Sequence, residues 1–233
     1  MKIKKSSDKV SLLRQLLTVK GKFSESFALV AGEGYSDRYM DQLRTELSSC
    51  SRKRDIAQGQ SLLAQAMLFR GELRGAYEQF EAVDIKLVPK EMRGVFAANY
   101  LMCVFFLGKT GRVKQLYREL NEWLLSENTP QMRRSVGINE YIEGRYENAV
   151  TVFVKLLEFS DPKATLFIDY CLVRSMLALD MYGEAAELAD KGFSRYNGRK
   201  EITAEINKLR NRISAGQRQN GNYRKGDKKK HRK

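Results

Sequence analysis

The sequence predicts an all-α protein built from stacked antiparallel helical hairpins. Three observations carry that reading. Apolar residues recur at three- and four-residue spacing over long stretches, with almost no β-branched alternation. The only three prolines, Pro89, Pro130 and Pro162, all fall between those stretches. Proline lacks the amide donor and clashes with the preceding turn, costing ~3 kcal/mol inside a helix, so its confinement marks junctions. The proline spacings, 41 and then 32 residues, bracket a repeat of about 34 residues, the signature of a helical solenoid.

The elements follow in order. Residues 60–82 place Leu63, Met67, Leu73, Tyr77 and Phe80 on one stripe, broken by a turn at Arg70-Gly71, and residues 97–125, 136–159 and 166–193 repeat that plan. Residues 1–56 read as N-terminal helices. A degenerate first repeat fits 7–32 (Leu13, Gly21-Lys22-Phe23, Ser26), and 33–56 shows a helical pattern with Tyr39, Leu43 and Leu47. Residues 199–215 form an amphipathic helix with Ile202, Ile206, Leu209 and Ile213 on one face, suited to capping the last apolar surface, and Gly216 ends it. The remaining 216–233 hold one aromatic and no aliphatic residue, which predicts a disordered basic tail.

The net charge of +14 sits at the two ends of the 233 residues. Residues 1–22 carry net +6 and residues 199–233 net +10, while 23–198 hold 22 bases and 24 acids. An electrostatic partner is therefore expected at the ends. The one histidine, His231, excludes a His-pair zinc site and leaves no Ser-His-Asp triad to assemble in the helical body. Cys50, Cys103 and Cys171 lie 53 and 68 residues apart. No CxxC pair exists, which argues against zinc, iron–sulfur clusters and disulfides and fits a reducing compartment. The longest apolar run, 100–108, is less than half the ~20 residues of a spanning helix. The N-terminal segment, interrupted by Arg14 and Gln15, reads as amphipathic rather than as an export signal. The cytoplasm is the expected location.

Apparent chemistry dissolves on inspection. CVFFLGKT at 103–110 ends like a phosphate-binding loop, but Cys103 stands where its first glycine belongs, and bulky residues fill the loop. Glu140, Glu143 and Glu147 fall on a helix end and turn, where a solvated face explains them. Cys103 and Cys171 sit in apolar stripes and read as core. Neither a catalytic constellation nor a cofactor site is expected.

The repeat plan resembles the tetratricopeptide repeat (TPR) family, whose unit has small residues at the helix crossings, an aromatic on the second helix and a terminal proline. Segment 57–88 offers Leu63-Ala64, Gly71, Ala76 and Phe80; 130–161 offers Val136-Gly137, Gly144-Arg145-Tyr146, Ala149 and Phe153. Segment 97–128 keeps Gly111 and Leu120 but has Leu116 and Trp123 where small residues are usual. Segment 166–197 has Asp180 in place of the turn glycine and Ala189 in place of the aromatic. The resemblance covers 57–197 and implies a right-handed superhelix whose concave face binds a peptide or helix. Carried over position by position, that groove comprises Ser61, Gln65, Phe69, Leu101, Phe105, Lys109, Arg134, Ile138, Tyr141, Phe167, Tyr170 and Arg174. Such a surface suits a partner with hydrophobic anchors and acidic residues. The family's clamp for acidic C-terminal tails needs Lys and Asn where this chain has Ser61, Gln65, Met102, Gln131 and Ser135. The expected function is a non-enzymatic protein-binding scaffold. The alternative is an RNA- or ribosome-associated factor acting through Arg218, Arg224, Lys225, Lys228, Lys229, Lys230, Arg232 and Lys233 of the tail.

Overall fold

A computed structural model describes residues 22–126, 128–159 and 167–230, with side chains at all of these except 31, 159, 200 and 220–230. The described residues form twelve α-helices and one 3₁₀ turn, with no strand. Five helical hairpins succeed one another: α1 (Ser24–Glu33) with α2 (Asp37–Ser48), α3 (Lys53–Arg70) with α4 (Leu73–Ala82), α5 (Lys90–Phe106) with α6 (Thr110–Glu119), α8 (Pro130–Ile142) with α9 (Tyr146–Phe159), and α10 (Ile168–Ala178) with α11 (Tyr182–Gly192). A single-turn helix α7 (Asn121–Leu124) follows α6, a 3₁₀ turn (Phe193–Tyr196) follows α11, and α12 (Lys200–Lys230) completes the chain. The first helices stack on each other, α3 on α5, α5 on α8 and α8 on α10.

The hairpin turns share one mechanism. Gly71, Gly108 and Gly144 have φ of 80°, 69° and 78°, and Asp180 has 57°. The N–H of each glycine bonds a carbonyl three residues back, and the next N–H bonds one five residues back: Glu72 to Met67 (2.8 Å), Lys109 to Val104 (3.3 Å), Arg145 to Glu140 (2.9 Å). Met181 repeats the longer bond to Met176 (3.0 Å). This Schellman pair satisfies the last carbonyls of the first helix and needs a left-handed residue, which glycine adopts without steric cost. With Gly34 (φ 66°), the positive-φ turns stand 37, 37, 36 and 36 residues apart. The repeat is therefore slightly longer than the prolines suggest.

That spacing corrects several boundaries. The second full hairpin turns at Gly108, not Gly111, and its first helix starts at Lys90, so 89–96 belong to the hairpin. The first described hairpin turns at Gly34, and the segment 33–56 supplies its second helix and the start of α3. Gly21 of the turn expected at Gly21-Lys22-Phe23 lies outside the described residues, while Lys22 and Phe23 are in a turn ahead of α1, with Phe23 fully inside the core against Gly59. Pro89 and Pro130 open helices rather than close hairpins; Pro130 takes the first helical position, where its missing N–H costs nothing. Residues 7–21 and Pro162 lie outside the described residues. Small residues do serve close approaches, as where Gly137 leaves room for the Phe153 ring (2.6 Å from an added Cβ).

α12 buries the predicted face, Ile202, Ile206, Leu209 and Ile213, against α10 and α11. Gly216 does not end it. Gly216 is buried against the Tyr182 ring, where any Cβ would collide. The backbone helix runs to Lys230. Once a turn is nucleated by packing, each further residue adds a hydrogen bond at little cost.

Candidate functional site

The first helices present an inner face, and a polar ladder crosses it. Asn99 on α5 donates through Nδ2 to Gln65 Oε1 on α3 (3.3 Å), and Arg134 on α8 donates through Nη2 to Asn99 Oδ1 (3.0 Å). Burial pulls the Arg134 guanidinium below its ordinary pKa. Beside the ladder runs a stack of rings: Tyr35 on Phe69 (5.1 Å between centroids), Phe69 on Phe167 (5.7 Å), Phe167 on Tyr196 (6.0 Å). Phe106 meets Phe167 edge-on at 5.0 Å and approaches Tyr170 at 4.2 Å. Phe167 has φ 78°, an unusual conformation for an aromatic residue, and its N–H donates to the Tyr196 hydroxyl (2.9 Å).

The segment after α11 closes one side of this face. The Arg199 guanidinium donates to the Phe69 carbonyl, the Glu201 N–H donates to the Gly71 carbonyl (3.0 Å), and Glu201 lies 3.8 Å from Arg74. At the other end of the contact, Gly216 meets Tyr182. α12 is thus more than a terminal cap. It bridges the α3–α4 turn, about 130 residues upstream, and the last hairpin.

The sequence-predicted groove residues divide accordingly. Leu101, Phe105, Arg134, Ile138, Phe167 and Tyr170 are buried between helices, as is Ser61, and they form core rather than open surface. The reason is the aromatic content: rings on adjacent first helices bury more area against each other than against water. Gln65, Phe69, Tyr141 and Arg174 are half-buried, and Lys109 is exposed over the Tyr77 ring (3.7 Å). Of the tail residues, Arg232 and Lys233 lie outside the described residues, and Arg224, Lys225 and Lys228–Lys230 are described by backbone alone, on α12.

Arg174 on α10 has a distinctive setting. Its guanidinium lies 4.1 Å from the Phe105 ring centre, 5.1 Å from Tyr141 and 5.7 Å from Tyr170. Nη1 donates to the Phe105 carbonyl (3.0 Å) and to the Tyr170 hydroxyl (3.4 Å). Among the described residues no carboxylate pairs with it, whereas Arg70 holds Asp37 and Glu72, Arg112 holds Glu81 and Glu119, and Arg145 holds Glu140.

Elsewhere the chemistry is structural. Asp169 is buried, accepts from the Tyr196 hydroxyl and from the Tyr170 N–H (3.0 Å), and lies 3.5 Å from Arg195. Burial raises its pKa above the ordinary carboxylate value, and burial with the adjacent Asp169 raises that of Tyr196. Burial pushes the thiols of Cys103 and Cys171 up to about 12, so neither supplies a thiolate near neutral pH. Glu140 is engaged by Arg145 and Asn148, and Glu143 by Lys114 (3.3 Å). The segment resembling a phosphate loop is the buried end of α5 and its Gly108 turn. Among the described residues no three His, Cys, Asp or Glu converge to hold a metal, and no helix is long and apolar enough to cross a membrane. The exposed side of α12 carries Lys208, Arg210, Arg212 and Arg218, with no acid from Ile206 to Gln219.

Sequence reasoning missed Tyr35, Asn99, Tyr196 and Arg199. Tyr35 had a usable signal, since it follows Gly34 one repeat before Gly71. Tyr196 and Arg199 had none, because their partners are set by the long return of the chain. No protein-family model, no curated protein and no solved structure matches this chain.

Proposed function

We propose that the chain is a non-enzymatic, TPR-like interaction scaffold that holds a protein partner in a reducing, cytoplasmic setting. The observation that carries this reading is the regular series of hairpin turns, 36 to 37 residues apart, with the first helices α3, α5, α8 and α10 stacked in succession. Repeats of that kind build extended binding surfaces whose side chains vary while the frame is kept. The three free cysteines support the reducing setting. With the Phe69 end filled by Phe167 and Arg199, the surface left for a partner is the part around Lys109, Tyr141 and Arg174. The test is affinity capture from the native lysate with the full chain and with a chain ending at Ser214, each with and without nuclease. Nuclease-resistant partners retained by both support the scaffold. Loss of every partner with the tail or with nuclease overturns it.

One observation favours a second reading, a nucleic-acid-associated factor. The exposed side of α12 carries four bases and no acid over Ile206–Gln219 and leads into the remaining tail bases. Binding of that kind is carried by phosphate contacts and weakens steeply with salt. Anisotropy of a labelled RNA titrated with the full chain at two salt concentrations tests it. Salt-independent or absent binding removes the reading.

A further inference from the structure

We propose that Arg174 and its aromatic box form a carboxylate-binding point that anchors an acidic side chain of the protein partner. The inference rests on the scaffold reading and names the chemistry its open surface recognises.

The argument starts from charge. A guanidinium taken partly out of water is normally matched with a carboxylate, because desolvation of an uncompensated charge is costly. This chain follows that rule at Arg70 and Arg112, each holding two acids. Arg174 is held instead by ring faces, one carbonyl and the hydroxyls of Tyr170 and Tyr141. Ring faces attract the cation without neutralising it, so its charge remains available to an anion. Nη1 donates to the Phe105 carbonyl and the Tyr170 hydroxyl, and the same guanidinium hydrogen-bonds the Tyr141 hydroxyl; all of these acceptors are neutral, and the planar fork is the geometry that grips a carboxylate through two parallel bonds. The box also fixes the fork. Tyr141 is braced by Phe105 (5.4 Å) and Tyr146 (5.3 Å), so little side-chain entropy remains to be lost on binding.

The surroundings fit the same ligand. Lys109, three residues beyond the end of α5, is exposed and pairs with no carboxylate among the described residues. Tyr141 is half-buried and offers apolar surface beside the cation. Glu205 of α12 reaches the electrostatic environment of Tyr170, but its carboxylate is held by Lys208 (2.6 Å) and does not pair with Arg174. An acidic residue flanked by an aliphatic or aromatic one satisfies both features.

The experiment selects binders from a random peptide-display library of about twelve residues per peptide on the full chain, then measures selected peptides by fluorescence anisotropy. Enrichment of Asp or Glu next to an apolar residue is expected, with affinity falling about tenfold or more in R174Q. R174K keeps the charge without the planar fork and is expected to fall between. Y141L removes one wall of the box while leaving Arg174, and weakens the same peptides even if R174Q proves too unstable to assay. A variant with Lys208, Arg210, Arg212 and Arg218 all changed to serine retains the affinity. Selected peptides without acid enrichment, or bound equally by R174Q, R174K and Y141L, overturn the inference and leave the scaffold standing. Loss of binding in the α12 serine variant alone also overturns it, assigning acid recognition to α12. Failure to select any peptide counts against both.

Discussion

Replacing Gly71, Gly108 and Gly144 by alanine, one at a time, separates two costs that the structure combines at only one of them. All three residues have positive φ, where a Cβ costs about 1 kcal/mol or somewhat more. An alanine Cβ at Gly108 or Gly144 would meet no atom within 4 Å, so the backbone cost is the whole cost. At Gly71 the Cβ would lie 2.6 Å from the Arg199 carbonyl oxygen and 2.8 Å from its carbon, backbone atoms that cannot swing aside. Relief requires moving the start of α12, which strains the packing and weakens the Glu201-to-Gly71 bond. Overpacking and a lost hydrogen bond together add about 2 kcal/mol or more. For a chain of this size 1 kcal/mol moves the melting temperature by about 2–4 °C. The expected losses are therefore about 2–4 °C for G108A and G144A and about 6–12 °C for G71A, read by circular dichroism at 222 nm. A G71A melting point within about 1 °C of G108A would refute the contact between α12 and the α3–α4 turn.

Three further substitutions probe other parts of the frame. D180G releases an aspartate from φ 57° at the cost of its exposed bond to the Tyr182 hydroxyl (2.7 Å), and should raise the melting temperature by about 1–3 °C; a fall would show that the side-chain bond outweighs the backbone cost. Asp169 has its folded pKa raised by burial, so its favourable contribution is full below the unfolded value of 3.8 and is lost as pH rises through the folded value. D169N should therefore gain stability relative to the parent as urea midpoints are followed upward from pH 4, and a constant difference across that range would refute the assignment. I206A removes a buried side chain from the inner face of α12 and should cost about 2–5 kcal/mol; amide exchange should quicken both in α10–α11 and at Glu72, and acceleration confined to α10–α11 would show that the two ends are independent.

What the sequence made legible was local. Helical periodicity, the breaks at Pro89 and Pro130, and the buried stripe Ile202, Ile206, Leu209, Ile213 each follow from spacing within a few turns, and the structure has them. The second full hairpin was misread because two glycines, Gly108 and Gly111, compete for the turn. Only the one whose N–H closes on the Phe105 carbonyl (3.1 Å) ends the helix, and composition does not distinguish them. Asp180 shows the converse, a turn position occupied without glycine. Gly216 was read as a helix stop because glycine is a poor helix former. Its role depends on Tyr182, 34 residues earlier, which leaves space for no larger residue. The groove was misread for the same reason: whether Phe105 or Tyr170 faces solvent depends on ring partners two helices away, not on its own stripe.

The return of α12 changes what the repeat series can do. In a stack where each hairpin touches only its neighbours, stability is a sum of local terms, and the two ends loosen separately. Here Arg199 and Glu201 reach the turn at Gly71 while Gly216 rests on Tyr182. The helix between them, from Glu201 to Gly216, spans about 24 Å at 1.5 Å per residue, so a rigid element ties an early hairpin to the last one. That tie holds the two turns at one separation, because the distance between them cannot change without breaking contacts at one end. It also explains why the Phe69 end is filled while the Arg174 end is left half-open. Arg199 arrives with the start of α12, Tyr196 just before it braces Phe167 against Phe69, and the helix then runs toward Tyr182. A partner that binds beside Arg174 therefore meets a surface whose shape is already set.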